Sequence, residues 1–297
     1  MRVFVTGSTG WIGTAAVDDL LRAGHEVLGL ARSDAAARTL EQKGAIALRG
    51  DLDDLDALRR GSAESDAVVH LANKHDWSNP AESNRAERAA VQAIADALVG
   101  TDHPFVLASG LLRPGHEGLA LETDDNPAVG AESMRGGSEN LALEYLDHGV
   151  RSIALRFAPS VHGVRDHGFI ASIVAVAQRT GVSGYVGDGS TAWSAVHRSD
   201  AAQLVRLAVE QAPAGARLHA VAEERVTSKA IAEAIGEVLN LPAVSIDPGD
   251  ADTHFGFIGR FFGTEMTGSS AATRDDYHWV PSGPTLLSDI GSGAYTP

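Results

Sequence analysis

Val3-Phe4-Val5-Thr6-Gly7-Ser8-Thr9-Gly10-Trp11-Ile12-Gly13 combines an apolar run with three glycines spaced three residues apart. This pattern predicts a buried strand, a tight turn and the start of a helix. The first glycine permits the turn, the second lets a pyrophosphate approach the backbone, and the third lets the helix pack closely on the strand. The helix amino terminus then faces the anion. The stretch therefore predicts a dinucleotide site at Gly7, Ser8, Thr9, Gly10, Trp11, Ile12 and Gly13.

Composition narrows the class of protein. The 297 residues carry a formal net charge of −15, so nucleic acid and membrane surfaces are disfavoured as partners. The chain has no cysteine, which excludes disulfides and thiolate metal sites. A core strand directly after Met1 leaves no room for a targeting segment, and no apolar run is long enough to span a bilayer. We expect a cytoplasmic protein acting on a small molecule, with a homodimer as one option.

Short apolar runs alternate with helical patterns through the first half of the chain, which is typical of a parallel sheet covered on both faces. The predicted strands are Arg2 to Thr6, His25 to Ala31, Ala45 to Arg49, Ala67 to Leu71, Phe105 to Ala108 and Ser152 to Phe157. The predicted helices are Ile12 to Arg22, Ala35 to Gln42, Leu55 to Arg60, Ala81 to Val99 and Ser138 to Leu146. These βα units predict an α/β fold with a doubly wound parallel sheet.

The second half of the chain is less regular. A helical pattern covers Asp200 to Gln211, and Thr227 or Ser228 can cap a further helix that extends to Leu239. The expected organisation is a dinucleotide-binding domain over residues 1–160 and mainly a substrate-binding lid over 161–297, with 196–212 returning to the first domain.

The residues after the second predicted strand bear on the choice between NAD and NADP. An acidic residue there would hold the ribose hydroxyls of NAD, but the chain has Arg32, followed by Ser33 and Asp34. The Arg32 guanidinium can pair with a ribose phosphate through two hydrogen bonds, which favours NADP(H) over NAD(H). Asp34 is the counter-argument because it can reach the ribose, although Ser33 and Asp34 also form an ordinary helix start.

Two further segments fit the same cleft. Asp51 and Leu52 follow the third predicted strand, where a carboxylate can accept a hydrogen bond from the adenine amino group. The alternative is that Asp51 caps the next helix. Leu71, Ala72 and Asn73 lie at the end of the fourth strand, at the carboxyl edge where open α/β sheets bind ligands.

Several stretches of the chain match the motifs of one family. They are Thr6-Gly7-Ser8-Thr9-Gly10-Trp11-Ile12-Gly13, Gly50-Asp51-Leu52, His70-Leu71-Ala72, Arg156-Phe157-Ala158-Pro159-Ser160-Val161-His162-Gly163, Val196-His197-Arg198-Ser199-Asp200-Ala201-Ala202 and Trp279-Val280-Pro281. Together they resemble the extended short-chain dehydrogenase/reductase family, the group that contains NAD-dependent epimerases and dehydratases. The resemblance implies a Rossmann-type fold over nearly the whole chain and hydride chemistry at a nicotinamide.

The catalytic tyrosine and lysine that the resemblance implies are absent. In that family a tyrosine moves the proton, and a lysine four residues later lowers its pKa and holds the ribose. The corresponding segment is Ser133-Met134-Arg135-Gly136-Gly137-Ser138-Glu139-Asn140. One register places Arg135 and Glu139 in the two positions, and the neighbouring register places Met134 and Ser138 there. Tyr145 does not restore the pair, since Gly149 stands four residues after it.

Arg135 and Glu139 have two interpretations. As a replacement dyad, the guanidinium would hold an anionic group and the carboxylate would accept a proton. As a structural feature, the two would form an ion pair across one helical turn, worth about 0.2 to 0.5 kcal/mol. The family's hydroxyl residue corresponds to Ser109, which can donate to a substrate carbonyl or oxyanion or satisfy a loop, with Gly110 as the alternative register.

Histidines are the other candidate proton donors, because their pKa is matched to neutral pH. His75 follows the fourth strand in a polar loop at the carboxyl edge, and His162 follows the sixth strand, where the resemblance implies a substrate-facing loop. Either can instead be a loop residue without a catalytic role. His162, Asp166 and His167 make a poor zinc signature, and no metal site is expected.

The first functional hypothesis is an NADP(H)-dependent oxidoreductase that acts on a small carbonyl/alcohol pair, or a C=N or C=C bond, with a non-standard proton donor. The alternatives are a redox-inactive NADP-binding sensor or regulatory protein, and an epimerase or lyase that uses bound cofactor transiently.

Overall fold

The computed structural model describes residues 1–76, 78–111 and 117–295 of the chain. Its strands are β1 (Arg2–Thr6), β2 (Glu26–Ala31), β3 (Ile46–Arg49), β4 (Ala67–His70), β5 (Pro104–Gly110), β6 (Arg151–Phe157), β7 (Ser160–His162), β8 (Ser183–Val186), β9 (Ala192–His197), β10 (Arg217–Ala220), β11 (Glu223–Thr227) and β12 (Ala243–Ile246).

The helices are α1 (Trp11–Arg22), α2 (Asp34–Gln42), α3 (Leu55–Ala63), α4 (Pro80–Leu98), α5 (Ser138–Glu144), α6 (Phe169–Thr180), α7 (Arg198–Gln211), α8 (Ser228–Leu239), α9 (Ala251–Phe255), α10 (Gly259–Phe262), α11 (Ala271–Tyr277) and α12 (Leu286–Gly291). Short 3₁₀ turns occupy Met134–Gly137, Tyr145–His148, Pro248–Asp250 and Gly256–Ile258.

A seven-stranded sheet organises the fold, in the order β10-β6-β5-β4-β1-β2-β3. The five strands from β5 to β3 pair in parallel. Strand β1 lies between β4 and β2, so the chain progresses outward in both directions from it. This is the point at which doubly wound sheets open a crevice beyond the carboxyl ends of their strands. The predicted α/β fold is confirmed.

The predicted strands and helices of the first half are confirmed to within a few residues at their ends. Thr227 is the residue that caps α8, since its hydroxyl accepts from the backbone N–H of Ala230. The strands β7 to β12 were missed. These strands are short, and several contain polar residues or glycine. Because their pairing depends on partners distant in the chain, the local sequence gives little signal for them.

The chain divides into two compact units. The first comprises Met1–Ser109, Asp125–Arg156 and Ala202–Leu218, and the second comprises Gly110–Asp124, Phe157–Ala201 and His219–Pro297. The first unit has an apolar core that contains Phe4, Val68, Ile94 and Phe105. The second has its own core around Trp193, Phe255 and Phe262, beside the small sheet β11-β9-β7. The expected division at residue 160, with 196–212 returning to the first domain, stays a prediction of how function is distributed.

In the described part of the chain, no helix is both long and apolar enough to cross a bilayer.

The turn between β1 and α1 is built on close backbone contacts. Gly7 has φ +64°, and a β-carbon there would lie 2.7 Å from the Ala72 nitrogen. A β-carbon on Gly13 would lie only 2.0 Å from the Gly7 carbonyl oxygen, and one on Gly10 would lie 3.0 Å from that same oxygen. The first and third glycines are therefore required by the fold itself, because backbone atoms occupy the space of any side chain.

Gly13→Ala is expected to lower the free energy of unfolding by about 3 kcal/mol, because its new methyl group meets a backbone oxygen that cannot rotate away. Gly291→Ala is the matched control, since nothing lies within 4 Å of a β-carbon at that helical glycine. Urea unfolding followed by circular dichroism measures both. Equal stability of the two variants would contradict this packing argument.

Candidate active site at the carboxyl edge of the first unit

The amino terminus of α1 is open to an anion. Gly10 is the cap residue, and it has no side chain with which to accept a hydrogen bond from the first N–H groups of the helix. The Gly10 N–H donates to the Gly7 carbonyl at 2.8 Å, which fixes the turn. Because backbone atoms leave no room for a β-carbon at Gly7 or Gly13 and Gly10 caps the helix without a side chain, the residues present fit a dinucleotide pyrophosphate.

Four other residues of this stretch differ in how far they are buried. The Ser8 side chain is buried and donates to the Leu30 carbonyl at 2.9 Å, so it ties the turn to β2. Thr9 is exposed, and Trp11 and Ile12 are half-buried in the first turn of α1.

Two arginines lie at the ends of the neighbouring strands β2 and β3. Arg32 is exposed directly after Ala31, and Ala31 pairs with Arg49 in the parallel register. Arg49 contacts the Asp34 carboxylate at 3.1 Å. Ser33 caps α2 by accepting from the Ala36 N–H. Asp34, the acid available to the ribose of NAD, is thus paired with a cation, whereas Arg32 is exposed to solvent.

Asp51 and Leu52 have local structural contacts. One Asp51 carboxylate oxygen accepts from the backbone N–H groups of Asp53 and Asp54 at 3.0 and 3.1 Å. The cap of α3 is Asp54, not Asp51. Leu52 is buried in the core of the first unit. Their role toward an adenine stays a prediction.

A buried carboxylate connects the loop after β4 to a distant segment. Glu87 on α4 is 0% exposed. One of its oxygens accepts from the Arg135 guanidinium at 2.5 Å, and the other accepts from the Asn73 side-chain amide at 2.6 Å. Asn73 follows the end of β4, after the half-buried Leu71 and Ala72. The structure therefore brings Arg135 to the carboxyl edge of the sheet.

The segment that carries Arg135 is not helical, contrary to the expectation of a one-turn dyad. Arg135, Gly136 and Gly137 have φ values of 55°, 62° and 62°, and α5 begins only at Ser138. Two glycines in a row favour this left-handed turn over a helix. Helix α4 holds it, because Asn84 accepts from the Arg135 N–H at 2.9 Å and Arg88 donates to the Gly136 carbonyl at 2.8 Å.

The ion pair between Arg135 and Glu139 that the sequence allowed is therefore wrong. Arg135 pairs with Glu87, and Glu139 pairs with Arg156 on β6 at 2.6 Å. The left-handed turn is the physical reason, since it removes the helical spacing that would bring the two side chains together.

Glu139 lies in a largely buried network. Its carboxylate accepts from Arg156, from Asn126 at 3.1 Å and from the Ser109 hydroxyl. Burial raises the pKa of Glu139. The hydrogen bonds and charge of Arg156, together with hydrogen bonds from Ser109 and Asn126, outweigh burial and bring this pKa below its ordinary value. Ser109 has a single hydroxyl proton, and that proton points at Glu139. This arrangement opposes donation by Ser109 to a substrate oxygen.

His70 is a buried titratable group at the end of β4. Its Nδ1 lies 2.8 Å from the Thr6 hydroxyl, and its Nε2 has no hydrogen-bond partner within the described residues. Burial lowers the pKa of His70 to about 4; the Glu87 charge raises it and the Arg135 charge lowers it. The imidazole is therefore neutral at physiological pH.

The loop after His70 contains the predicted His75. This residue is exposed, has φ 50°, and donates its backbone N–H to the Asn73 side chain at 2.8 Å. Nearby Lys74 contacts Asp53 at 2.9 Å and Glu82 at 3.2 Å, and these partners raise its pKa, with the Asp53 hydrogen bond as the main cause.

His162 does not lie in the substrate-facing loop that the resemblance implies, so that expectation is wrong. It ends strand β7 in the second unit, is 0% exposed, and its Nδ1 lies 2.6 Å from the Asp289 carboxylate. Strand pairing with β9 buries it. Burial lowers the pKa of His162, although Asp289 acts in the opposite direction. The described residues contain no group of three or more histidines and carboxylates able to hold a metal.

Sequence reasoning missed Glu87, Asn126 and Arg156. Two of them left a signal in the sequence. Glu87 falls on the apolar face of α4 between Ala86 and Ala90, where a charged residue is costly unless it is paired. Arg156 interrupts the apolar part of β6, between Leu155 and Phe157. No local pattern points to Asn126.

The chain is similar in sequence to a family model and to several known proteins. The family model described as "NAD dependent epimerase/dehydratase family" matches residues 3–127. Uncharacterized protein YLL056C of Saccharomyces cerevisiae is 41% identical over 292 residues, covering 98% of both chains. The 4-hydroxy-2-methyl-3-oxo-4-farnesyl-3,4-dihydroquinoline-1-oxide ketoreductase of Stigmatella aurantiaca is 28% identical over 230 residues, covering 72% of this chain and 66% of that protein. The chain belongs to the NAD-dependent epimerase/dehydratase family. The family model and the ketoreductase relative support a nicotinamide-dinucleotide-dependent oxidoreductase in general.

The fold of this family member is similar to that of solved structures. The UDP-glucose 4-epimerase of Thermus thermophilus, crystallised with NAD, has a TM-score of 0.75 at 20% identity, covering 99% of this chain and 98% of that one. A likeness at this identity establishes the fold alone.

The buried His70 predicts a pH dependence of stability. Between pH 6.5 and about 4 the unfolded chain binds a proton at His70 that the folded chain does not, so stability falls as the pH falls through this window. The contribution is about 3 kcal/mol. His70→Asn, which cannot titrate, is expected to lose less stability than the wild type between pH 7 and 4.5 in urea unfolding. Parallel losses in both proteins would contradict the assignment.

Proposed function

We propose that the protein is an NADP(H)-dependent oxidoreductase that reduces a small carbonyl compound, or oxidises the corresponding alcohol, with a non-standard proton donor. A C=N or C=C bond is the related alternative. The site at the carboxyl edge of the first unit supports this proposal, and family membership supports nicotinamide chemistry in general.

Arg32 is the observation that carries the preference for NADP(H). Its exposed guanidinium lies directly after β2, beside Arg49 on β3, at the edge where this fold class holds the adenosine ribose. The formal charge of the whole chain is −15, so the two arginines make this edge an exception to the overall charge, although Arg49 is paired with the Asp34 carboxylate. A 2′-phosphate would pair with the Arg32 guanidinium, whereas the 2′-hydroxyl of NAD carries no charge with which it could pair.

The remaining chemistry is assigned to residues of this chain. When bound, the reduced cofactor supplies a hydride to the carbonyl carbon. Arg135 donates hydrogen bonds to the carbonyl oxygen, on which negative charge develops, and that oxygen takes its proton from water. Glu139 and Ser109 hold β5, β6 and α5 together through their buried network. His75, exposed on the loop after β4, is the candidate to relay the proton.

Arg32→Ala is expected to weaken NADPH binding about 10- to 100-fold, because charge-assisted hydrogen bonds to the phosphate are lost. NADH binding should change less than twofold. Arg59→Ala, which removes an exposed arginine from α3, is the control and should leave both affinities unchanged. Fluorescence titration measures them. An equal loss for NADPH and NADH in the Arg32 variant would contradict the proposed selectivity.

Tyr145→Phe is expected to retain turnover within twofold. The Tyr145 hydroxyl donates to Asp96 at 2.5 Å, and burial, with Asp96, raises its pKa to about 12. A phenol held in this way is a poor proton donor at neutral pH. Steady-state reduction of an aldehyde and ketone panel, followed by NADPH absorbance, is the measurement. A loss above tenfold would show that this tyrosine supplies the proton.

The same panel separates the proposed enzyme from a redox-inactive NADP-binding sensor. Tight NADPH binding without oxidation of the cofactor by any carbonyl compound would favour the sensor. Conversion of a substrate without net consumption of cofactor would indicate an epimerase or lyase.

A further inference from the structure

Glu87 connects two hydrogen-bond donors through one carboxylate. Its two oxygens accept separately from the Arg135 guanidinium and the Asn73 amide. The carboxylate is 0% exposed, whereas the Arg135 side chain is 31% exposed. One end of the pair is therefore locked in the protein, and the other end remains accessible to a small molecule.

Both donors keep unused N–H groups. Across residues 1–76, 78–111 and 117–295, Arg135 uses one guanidinium nitrogen for Glu87 and its backbone N–H for Asn84. A guanidinium has five N–H donors and an amide has two. Arg135 and Asn73 are therefore neighbours across one carboxylate, and each can donate to an additional acceptor.

The charge of this cluster constrains that acceptor. Arg135 and Glu87 neutralise each other, and the nearby His70 is neutral at physiological pH. A substrate carboxylate or phosphate would meet the Glu87 carboxylate as a like charge. A neutral carbonyl oxygen can accept from the unused N–H groups of Arg135 and Asn73, and the guanidinium then stabilises the negative charge that develops during reaction.

We propose that Glu87 is a positioning residue that directs Arg135 and Asn73 at the oxygen of an uncharged carbonyl substrate. The inference rests on the proposed function and specifies its substrate class. As hydride adds to the carbonyl carbon, the π-electron pair of the C=O bond moves to oxygen beside these donors. A proton from water completes the alcohol.

The left-handed turn supports this positioning role. A β-carbon at Gly136 would lie 2.5 Å from the Asn84 carbonyl oxygen and 2.9 Å from the Arg88 β-carbon. The turn is thus pressed against α4, the helix that carries Glu87. The backbone as well as the side chain of Arg135 is therefore fixed relative to Glu87.

The first experiment compares Glu87→Gln with Glu82→Gln. Glu82 lies on the same helix, but it is exposed and contacts Lys74 and Arg85. Glu87→Gln should lower kcat for neutral aldehydes and ketones 10- to 100-fold, while KM and the NADPH dissociation constant stay within twofold to threefold. Glu82→Gln should match the wild type. Arg135→Lys, which retains the charge but loses the planar fork, should also lower kcat if Glu87→Gln does not fold.

The second experiment measures binding without turnover. Isobutyramide is a neutral carbonyl probe, and isobutyrate is its carboxylate counterpart; their binding to the protein with NADPH is followed by nicotinamide fluorescence. Isobutyramide should bind at least tenfold tighter than isobutyrate, and Glu87→Gln should change the binding of isobutyramide by no more than threefold, in agreement with its KM. Tighter binding of isobutyrate, or a wild-type kcat in Glu87→Gln, overturns the inference.

A failure of the proposed function gives a different result from a failure of the inference about Glu87. If the wild-type protein does not bind NADPH, the proposed function itself fails. If NADPH binds and neutral carbonyls are reduced at the same rate by wild type and Glu87→Gln, the proposed function stands and only the role of Glu87 is rejected.

Discussion

The close approach of α1 to the turn before it is the constraint on which the rest of the site depends. A β-carbon on Gly13 would lie 2.0 Å from the Gly7 oxygen, and one on Gly7 would lie 2.7 Å from the Ala72 nitrogen. These contacts fix the amino end of α1 and the start of the loop after β4 in one place. An anion at this helix terminus and a substrate group near Asn73 would consequently be positioned by the same backbone.

Two buried carboxylates organise the region in which the tyrosine and lysine implied by the family resemblance are absent. Glu139 is paired with Arg156 inside the first unit, and Glu87 is paired with Arg135 at its edge. Burying such pairs carries a desolvation cost, and apolar residues often give equal or greater stability. Glu139 and Arg156 are both almost fully buried, which suits a fixed connection between α5 and β6. Arg135 is partly exposed, which suits contact with a ligand.

The fold was largely predictable from the sequence, because apolar periodicity and the Gly7-Gly10-Gly13 spacing are local signals. The site was predictable only in part. Arg135 was identified as a candidate from its position, but its partner Glu87 lies 48 residues earlier. The left-handed turn at Gly136 and Gly137 also removed the helical spacing on which the dyad interpretation rested. His162 was misplaced because the pairing of β7 with β9 joins segments that are distant in the chain.

Calorimetric titration of the wild-type protein with NADPH and with NADH tests the central claim most directly. The account predicts one binding site per chain and an NADPH dissociation constant at least tenfold lower than that of NADH, since bidentate pairing of Arg32 with a phosphate contributes about 1.5 to 3 kcal/mol. Absence of binding by either nucleotide, or tighter binding of NADH, would contradict it.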